Sequence, residues 1–161
     1  MKKAPSRLLT VILLLLTLST NVTASNQKAP DFALKLQSGN ITLKELQGKI
    51  VYLDFWASWC VPCRKSFPWM NEMHARYKDK GLVILAVNLD KDPELVAKFL
   101  RDYPAKFKIA YDPSGKSAEA YKVLGMPSSY IIDRQGNIIE THIGFREKDK
   151  AGLEKKISSL L

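Results

Sequence analysis

The chain contains two cysteines, Cys60 and Cys63, in the run Trp59-Cys60-Val61-Pro62-Cys63-Arg64. They follow the apolar run 50–56, which has the character of a buried strand, and they open a helical pattern that continues towards Lys80. A helix N-terminus offers free backbone N–H groups and a positive dipole end, so a cysteine there has a lowered pKa and is a usable nucleophile. The second cysteine is close enough to resolve a mixed disulfide. The pair therefore predicts thiol–disulfide exchange.

Other uses of a cysteine pair fit the sequence less well. A structural zinc site needs about four ligands, and only His74 and His142 are available, widely separated and without paired spacing. Covalent haem attachment requires a histidine after the second cysteine, where this chain has Arg64. A purely structural disulfide across so short a loop would constrain the unfolded chain little. A redox function is the better interpretation.

One acid, Asp54, interrupts the apolar run six residues before Cys60. Strand alternation puts it on the same face as Tyr52 and Trp56, which predicts that this face is at least partly buried. A buried carboxylate is costly unless it has a partner or a function. Asp54 is therefore a candidate catalytic residue, and an outward-facing surface aspartate is the alternative.

Residues 1–24 have the features of an export signal. Three basic residues precede an apolar stretch over residues 8–18, and small residues end at Ala24. The stretch is about eleven residues long, shorter than the roughly twenty that span a bilayer. We predict a signal peptide that is cleaved after Ala24, with an uncleaved membrane anchor as the alternative. No cysteine lies near the cleavage point, which excludes a lipid-anchored lipoprotein, and one domain is expected over residues 25–161.

The charge of the chain does not identify a partner. The formal charge is +9, and loss of the leader, which carries three basic residues and no acid, would leave 9 − 3 = +6. The remaining lysines are scattered and alternate with acids, with no basic stripe and interleaved aromatics of the kind that binds nucleic acid. We expect no nucleic-acid partner, and a solvated surface with some attraction to acidic headgroups or proteins.

The periodicity after the leader predicts alternating strands and helices without repeats. The predicted strands form a hairpin over 29–34 and 41–43, buried strands at 50–56 and 82–87, a short strand at 109–111, and a second hairpin over 129–132 and 138–142. The predicted helices are one turn at 44–47, the helix from Cys60 to Lys80, a helix from Asp92 with Leu95, Val96, Phe99 and Leu100 on its inner side, a short helix at 117–123, and a closing helix at 148–161. This order predicts an α/β fold with a central mixed sheet flanked by helices and an N-terminal β-hairpin extension.

The segment from Val51 to Arg64 closely resembles thioredoxin active-site segments. The surrounding chain resembles exported thioredoxin-like disulfide reductases of the TlpA/ResA type, through Ala29-Pro30-Asp31-Phe32, Gly48-Lys49 and Gly125-Met126-Pro127-Ser128. The resemblance covers nearly all of residues 29–161. It implies a thioredoxin-like fold.

The resemblance also implies roles for the residues of the cysteine motif. Cys60 would be the exposed attacking thiolate and Cys63 the more buried resolving thiol. Val61 and Pro62 would tune the reduction potential.

Pro127, preceded by Met126, matches the cis-proline of the family, whose backbone lies against the disulfide and pairs with an extended substrate segment. Pro68 matches the proline that kinks the active-site helix. Trp59 is expected to shield one side of Cys60. Trp69 could be a packing residue or part of a docking surface.

Asp54 matches a buried acid of thioredoxins that accepts the proton of the resolving thiol. We therefore hypothesise that Asp54, with a pKa raised by burial, deprotonates Cys63. Many thioredoxins place a lysine near this acid, and alignment of the next strand puts Ala86 there instead. Many TlpA/ResA-like proteins carry asparagine at this position, so the proton transfer here need not copy theirs.

Both histidines are expected to lie away from the chemistry. His74 lies eleven residues past Cys63, about 16 Å along the helix at 1.5 Å per residue. We read His142 as a surface or packing residue.

The sequence therefore predicts an enzyme: an exported, periplasmic reductase of client disulfides, with apo-cytochrome c as one possible client. The resemblance implies no cofactor beyond the cysteine pair, a membrane-embedded thiol–disulfide electron donor, and a monomer. A disulfide-forming oxidase or isomerase is the alternative enzyme, although strong oxidants often hold a histidine between the cysteines. A copper-binding thiol chaperone is the non-enzymatic alternative, but neither His74 nor His142 is a compelling ligand.

Overall fold

The computed structural model describes residues 27–161. The predicted signal peptide and its cleavage after Ala24 lie outside the described residues and stay predictions. Between residues 27 and 161, no helix is both long and apolar enough to cross a membrane.

A mixed sheet forms the centre of the described chain. Its strands are β1 (Gln27–Lys28), β2 (Ala33–Leu36), β3 (Asn40–Thr42), β4 (Ile50–Trp56), β5 (Leu82–Asn88), β6 (Lys108–Tyr111), β7 (Ser128–Ile132) and β8 (Asn137–Ile143). They are ordered β1-β8-β7-β4-β5-β6-β2-β3, with β4, β5 and β6 parallel and the other pairs antiparallel. The predicted thioredoxin-like α/β fold is confirmed.

Four helices cover the two faces of this sheet: α1 (Cys63–Tyr77), α2 (Pro93–Asp102), α3 (Lys116–Ala120) and α4 (Lys150–Leu160). Helices α1, α2 and α4 pack on the face that includes Tyr52 and Trp56, and they share one hydrophobic cluster with both cysteines. Helix α3 and the N-terminal segment pack on the opposite face, against Leu53 and Phe55. Strand β4 is therefore buried on both sides, as its apolar run predicts.

The N-terminal hairpin is present, but its first strand begins later than predicted. It starts at Ala33 instead of Ala29, and Ala33 pairs with Thr42. Residues 27–28 instead form β1 and pair with β8 at the other edge of the sheet. The turn at Gly39 has a positive φ of 88°, which a glycine adopts without strain.

Helix α2 begins where its sequence predicts. The Asp92 side chain accepts a hydrogen bond from the Glu94 N–H, and Pro93 occupies the first turn. Val96 and Phe99 are buried, but the prediction of an inward-facing Leu95 is wrong, because 47% of this residue is exposed. Leu95 lies at the edge of the stripe that Val96 and Phe99 form, on the side that faces solvent.

Candidate active site

Cys60 and Cys63 are disulfide-bonded at the end of β4, where the chain enters α1. Cys63 is the first residue of that helix, and its backbone N–H donates a hydrogen bond to Cys60 Sγ at 3.3 Å. One of the N–H groups that a helix leaves unpaired at its start thus points at the first sulfur. After reduction, the same N–H and the helix dipole favour the thiolate form of Cys60.

Cys60 is more buried than the resemblance implies. Cys63 is fully buried, as expected, but only 3% of Cys60 is exposed, which corrects the expectation of an exposed attacking residue. The exposed positions are the flanking ones, Trp59 at 66% and Val61 at 60%, whereas Pro62 is half-buried. In the disulfide form, Cys60 belongs to the hydrophobic cluster under α1, and this packing accounts for its low exposure.

A polar anchor that the sequence analysis missed holds the loop before Cys60. The Asp90 carboxylate accepts hydrogen bonds from the Ser58 N–H at 2.7 Å, the Ser58 hydroxyl at 2.8 Å and the Asn88 amide at 2.7 Å. The Asp90 N–H in turn donates to Asn88 Oδ1 at 3.0 Å. Asn88 ends the apolar run of β5, and Asp90 follows it two residues later. Because β5 is parallel to β4, polar residues at this end of β5 could have indicated a contact with the loop after β4.

Asp54 is 1% exposed, so the alternative of a surface aspartate is wrong. Burial raises the pKa of the Asp54 carboxyl well above its usual range. Among residues 27–161, no group hydrogen-bonds to its Oδ2. Burial also raises the pKa of Tyr52, and the charge of Asp54 adds to that effect. The side chain lies on the face of the sheet that carries both cysteines and is poised to hold a proton.

The two cross-strand neighbours of Asp54 carry no positive charge. Asp54 pairs in register with Ala86 of β5 on one side and with Ser129 of β7 on the other. The alignment that put Ala86 in the place of the lysine is therefore confirmed by the strand register. A methyl group and a hydroxyl replace a positive charge, and nothing in these two contacts lowers the pKa of the acid.

The Met126–Pro127 peptide bond is cis, as the resemblance implies. Pro127 directly precedes β7, whose first residue, Ser128, pairs with Phe55 near the end of β4. The proline is thus placed at the edge of the sheet from which the cysteine loop departs. Met126 is half-buried and packs against the cluster that contains both cysteines.

The other residues that the sequence singled out lie in different environments. Trp69 is buried, with its ring 5.4 Å from that of Tyr52, so it is a packing residue. Trp59 is exposed and borders a groove towards α2, and its shielding of Cys60 stays a prediction. Pro68 lies inside α1. His142 Nε2 lies 3.3 Å from an Asp149 carboxylate oxygen.

The described residues offer the cysteines no further metal ligand. No three His, Cys, Asp or Glu side chains between residues 27 and 161 are grouped as a metal site would require. The cysteine pair can itself alternate between the disulfide observed here and a dithiol.

A family profile for the AhpC/TSA family matches residues 25–141. The chain belongs to the AhpC/TSA family. It is 40% identical over 134 residues to the thiol-disulfide oxidoreductase ResA of Bacillus thuringiensis (strain Al Hakam), which covers 82% of this chain and 78% of the relative. It is 34% identical over 117 residues to ResA of Bacillus subtilis (strain 168), covering 72% of this chain and 65% of that protein.

A solved structure of a relative supports the same assignment. A crystal structure from Chlorobium tepidum, described as a thiol:disulfide interchange protein DsbE, is 51% identical with a TM-score of 0.82 and covers 84% of this chain and 96% of that chain. With the disulfide at the start of α1, these similarities confirm the predicted enzyme class. The chain is a thiol–disulfide oxidoreductase.

Proposed function

We propose that this oxidoreductase works as an exported reductase of disulfides in client proteins. The observation that supports this direction is the sparse stabilisation of Cys60 Sγ. Its one hydrogen bond within residues 27–161 comes from the Cys63 N–H, and Val61 and Pro62 between the cysteines supply no side-chain donor. A strongly oxidising disulfide requires a strongly stabilised reduced form. This pair is therefore suited to donate electrons.

The proposed reaction uses the two cysteines in sequence. The Cys60 thiolate attacks a client disulfide and releases one client thiol, leaving a mixed disulfide between Cys60 and the client. Cys63 then attacks Cys60 Sγ, which releases the second client thiol and restores the Cys60–Cys63 disulfide. Asp54 accepts the Cys63 proton, because a carboxyl with a raised pKa is matched to a thiol better than an ordinary aspartate.

The location and partners belong to the same proposal. The leader predicts export into an oxidising compartment such as the periplasm, where cytosolic reductants do not reach. We infer that a membrane-embedded thiol–disulfide protein returns two electrons to Cys60–Cys63 after each cycle. The clients would be disulfide-containing proteins, with apo-cytochrome c among the candidates, and the enzyme would act as a monomer without nucleic acid.

The reduction potential of the Cys60–Cys63 pair tests the direction. The protein purified from cells that express the full chain is equilibrated with glutathione or dithiothreitol buffers, and its intact mass reports whether residues 1–24 are removed. A potential near that of thioredoxin, about −270 mV, or lower supports the reductase. A potential near that of strong oxidants, about −120 mV, would favour a disulfide-forming enzyme instead.

Clients can be identified by arresting the reaction after its first step. A Cys63→Ser variant retains the attacking thiol but cannot resolve the mixed disulfide, so clients stay covalently attached to Cys60. The Cys60→Ser variant is the matched control and should hold far fewer. Equal capture by both variants would contradict the order of the two cysteines.

A further inference from the structure

A groove of about 420 Å³ lies between the loop before Cys60 and helix α2. Trp59 and Leu95 line it, with Phe99 and Tyr103 of α2 and its C-terminal end. Trp59 and Leu95 are 66% and 47% exposed, and they lie on the same groove, so they form one apolar surface rather than scattered single side chains. The apolar surface of this groove extends from the residue next to the attacking cysteine onto a helix.

The charges that face the groove are unbalanced. Arg64 and Lys98 line it, and Asp102 is the acid among its lining residues. Within residues 27–161, neither Arg64 nor Lys98 has an acidic oxygen within 4.0 Å. Two free cations against one carboxylate favour a ligand that carries negative charge.

The groove is separate from the side of the active site that carries the cis-proline. Sheet order places β7, which follows Pro127, on one side of β4, and β5, which leads into α2, on the other. A segment that pairs with the Pro127 backbone and a segment in the groove would therefore approach Cys60 from opposite sides. Because Ser58, Trp59 and Arg64 line the groove on either side of the cysteine pair in the chain, an occupant of the groove would contact the segment that carries Cys60.

We propose that this groove binds the client polypeptide next to its disulfide and selects segments with an apolar residue and an acidic residue near the cysteine. This inference rests on the proposed function and specifies its substrate class. The apolar side chain packs on Trp59 and Leu95, and the carboxylate lies near Lys98 and Arg64.

Two symmetric peptide dimers test the proposal. Each is linked through one cysteine, flanked on both sides by leucine and by either glutamate or lysine. The Cys60 thiolate attacks one sulfur and releases one peptide as a thiolate, which takes a proton from solvent. Cys63 then gives up its proton and attacks Cys60 Sγ, which releases the second peptide thiol. Two electrons pass from the protein to the dimer in both cases, so both dimers undergo the same chemistry.

The ratio of the two reduction rates is the measured quantity, because it does not depend on the fraction of active protein. The reduced wild-type protein should reduce the glutamate dimer about threefold faster than the lysine dimer, an effect limited by the weakness of exposed ion pairs. Lys98→Glu should abolish or invert this preference, and Asp102→Asn should enlarge it. Raising the salt concentration should reduce it.

Lys155→Glu is the matched control, because this exposed lysine lies on α4, away from the groove. It makes the same change in net charge and should leave the ratio as in the wild type. Equal rates on both dimers, or an equal loss of preference in Lys98→Glu and Lys155→Glu, would overturn the proposal. The proposal would also be overturned if the wild-type protein formed a homodimer that dissociates in Lys98→Glu, because the groove would then bind a second copy of this chain.

Failure of the proposed direction gives a different result. If the reduced protein reduces neither peptide dimer, the proposal that this enzyme is a reductase is wrong. The disulfide form is then mixed with the two reduced peptides, and the ratio of their oxidation rates measures the same groove preference.

Discussion

Asp54 places an ionisable carboxyl inside the sheet, between Ala86 and Ser129, neither of which carries a positive charge that could offset its burial. The pKa of this group is raised by burial, so the folded protein holds the proton at pH values where the unfolded chain has lost it. A residue that costs stability in this way and lies on the cysteine face of the sheet is a candidate for proton transfer.

Asp54→Asn should slow resolution of the mixed disulfide by on the order of 10²-fold, the usual contribution of general base catalysis. Rapid quenching of a peptide mixed disulfide at Cys60 measures that step. Asp112→Asn is the control, because Asp112 is also buried but lies at the end of β6. An unchanged rate in Asp54→Asn would exclude the base function.

The pH dependence of the free energy of unfolding should also report the raised pKa of Asp54. Since the pKa of Asp54 is higher in the folded state, the unfolded state binds fewer protons above the ordinary aspartate pKa. The free energy of unfolding should therefore fall as pH rises from about 4 until the folded-state pKa is passed. Asp54→Asn should remove that slope, so its free energy of unfolding should rise relative to the wild type as the pH increases above about 4. Denaturant titrations of both proteins between pH 4 and 9 measure this pH dependence. The same dependence in the wild type and in Asp54→Asn would contradict the prediction.

The loop that carries Trp59 and Cys60 is held by the end of the neighbouring strand. Asp90 accepts three hydrogen bonds from Ser58 and Asn88, and the Leu89 N–H donates to the Trp56 carbonyl at 3.0 Å. The helix start at Cys63 positions one sulfur and this anchor positions the other. Two elements, rather than the cysteine motif alone, therefore set the geometry of the pair.

Asp90→Ala should release the Ser58 N–H and hydroxyl, lower the free energy of unfolding by about 1–3 kcal/mol, and slow attack by Cys60 on a peptide disulfide. The control is Asp92→Ala, which removes the cap of α2 and should cost about 1 kcal/mol without slowing that attack. Stopped-flow measurement of both variants separates the two effects. Equal slowing would show that the anchor acts only through stability.

At the scale of the whole molecule, the core on each face of the sheet is built on the same strands, β4 and β5. Arg134, in the turn between β7 and β8, adds a link between distant segments. Its guanidinium donates to the Gly48 carbonyl at 2.7 Å and to the Leu161 backbone oxygen at 3.1 Å. The N-terminal segment and the end of α4 are thereby attached to one side chain.

Arg134→Ala should lower the free energy of unfolding by about 1–2 kcal/mol, because two charge-assisted hydrogen bonds to backbone oxygens are lost. Tryptophan fluorescence and far-UV circular dichroism should still report one shared transition, since both cores depend on β4 and β5. Arg101→Ala, on the exposed face of α2, is the control and should have little effect. Separate transitions for the two probes would contradict a single cooperative unit.

The sequence by itself determined most of the elements and the cysteine chemistry of this protein. Apolar runs, the Asp92 cap and the cysteine pair at a strand–helix junction are local signals, so the central strands, α2 and the reactive pair were predicted, whereas β1 was not. The position of Leu95 was wrong, because periodicity does not show which of two adjacent apolar residues meets the core.

Tertiary structure decided what depends on residues far apart in the chain. The register of β4 with β5 and β7 brought Ala86 and Ser129 beside Asp54, and the pairing of β1 with β8 was not visible locally. Packing covered Cys60, and the Asp90 anchor exists only because parallel strands end at the same edge. Such contacts follow from which strands become neighbours, and a single sequence does not show that order.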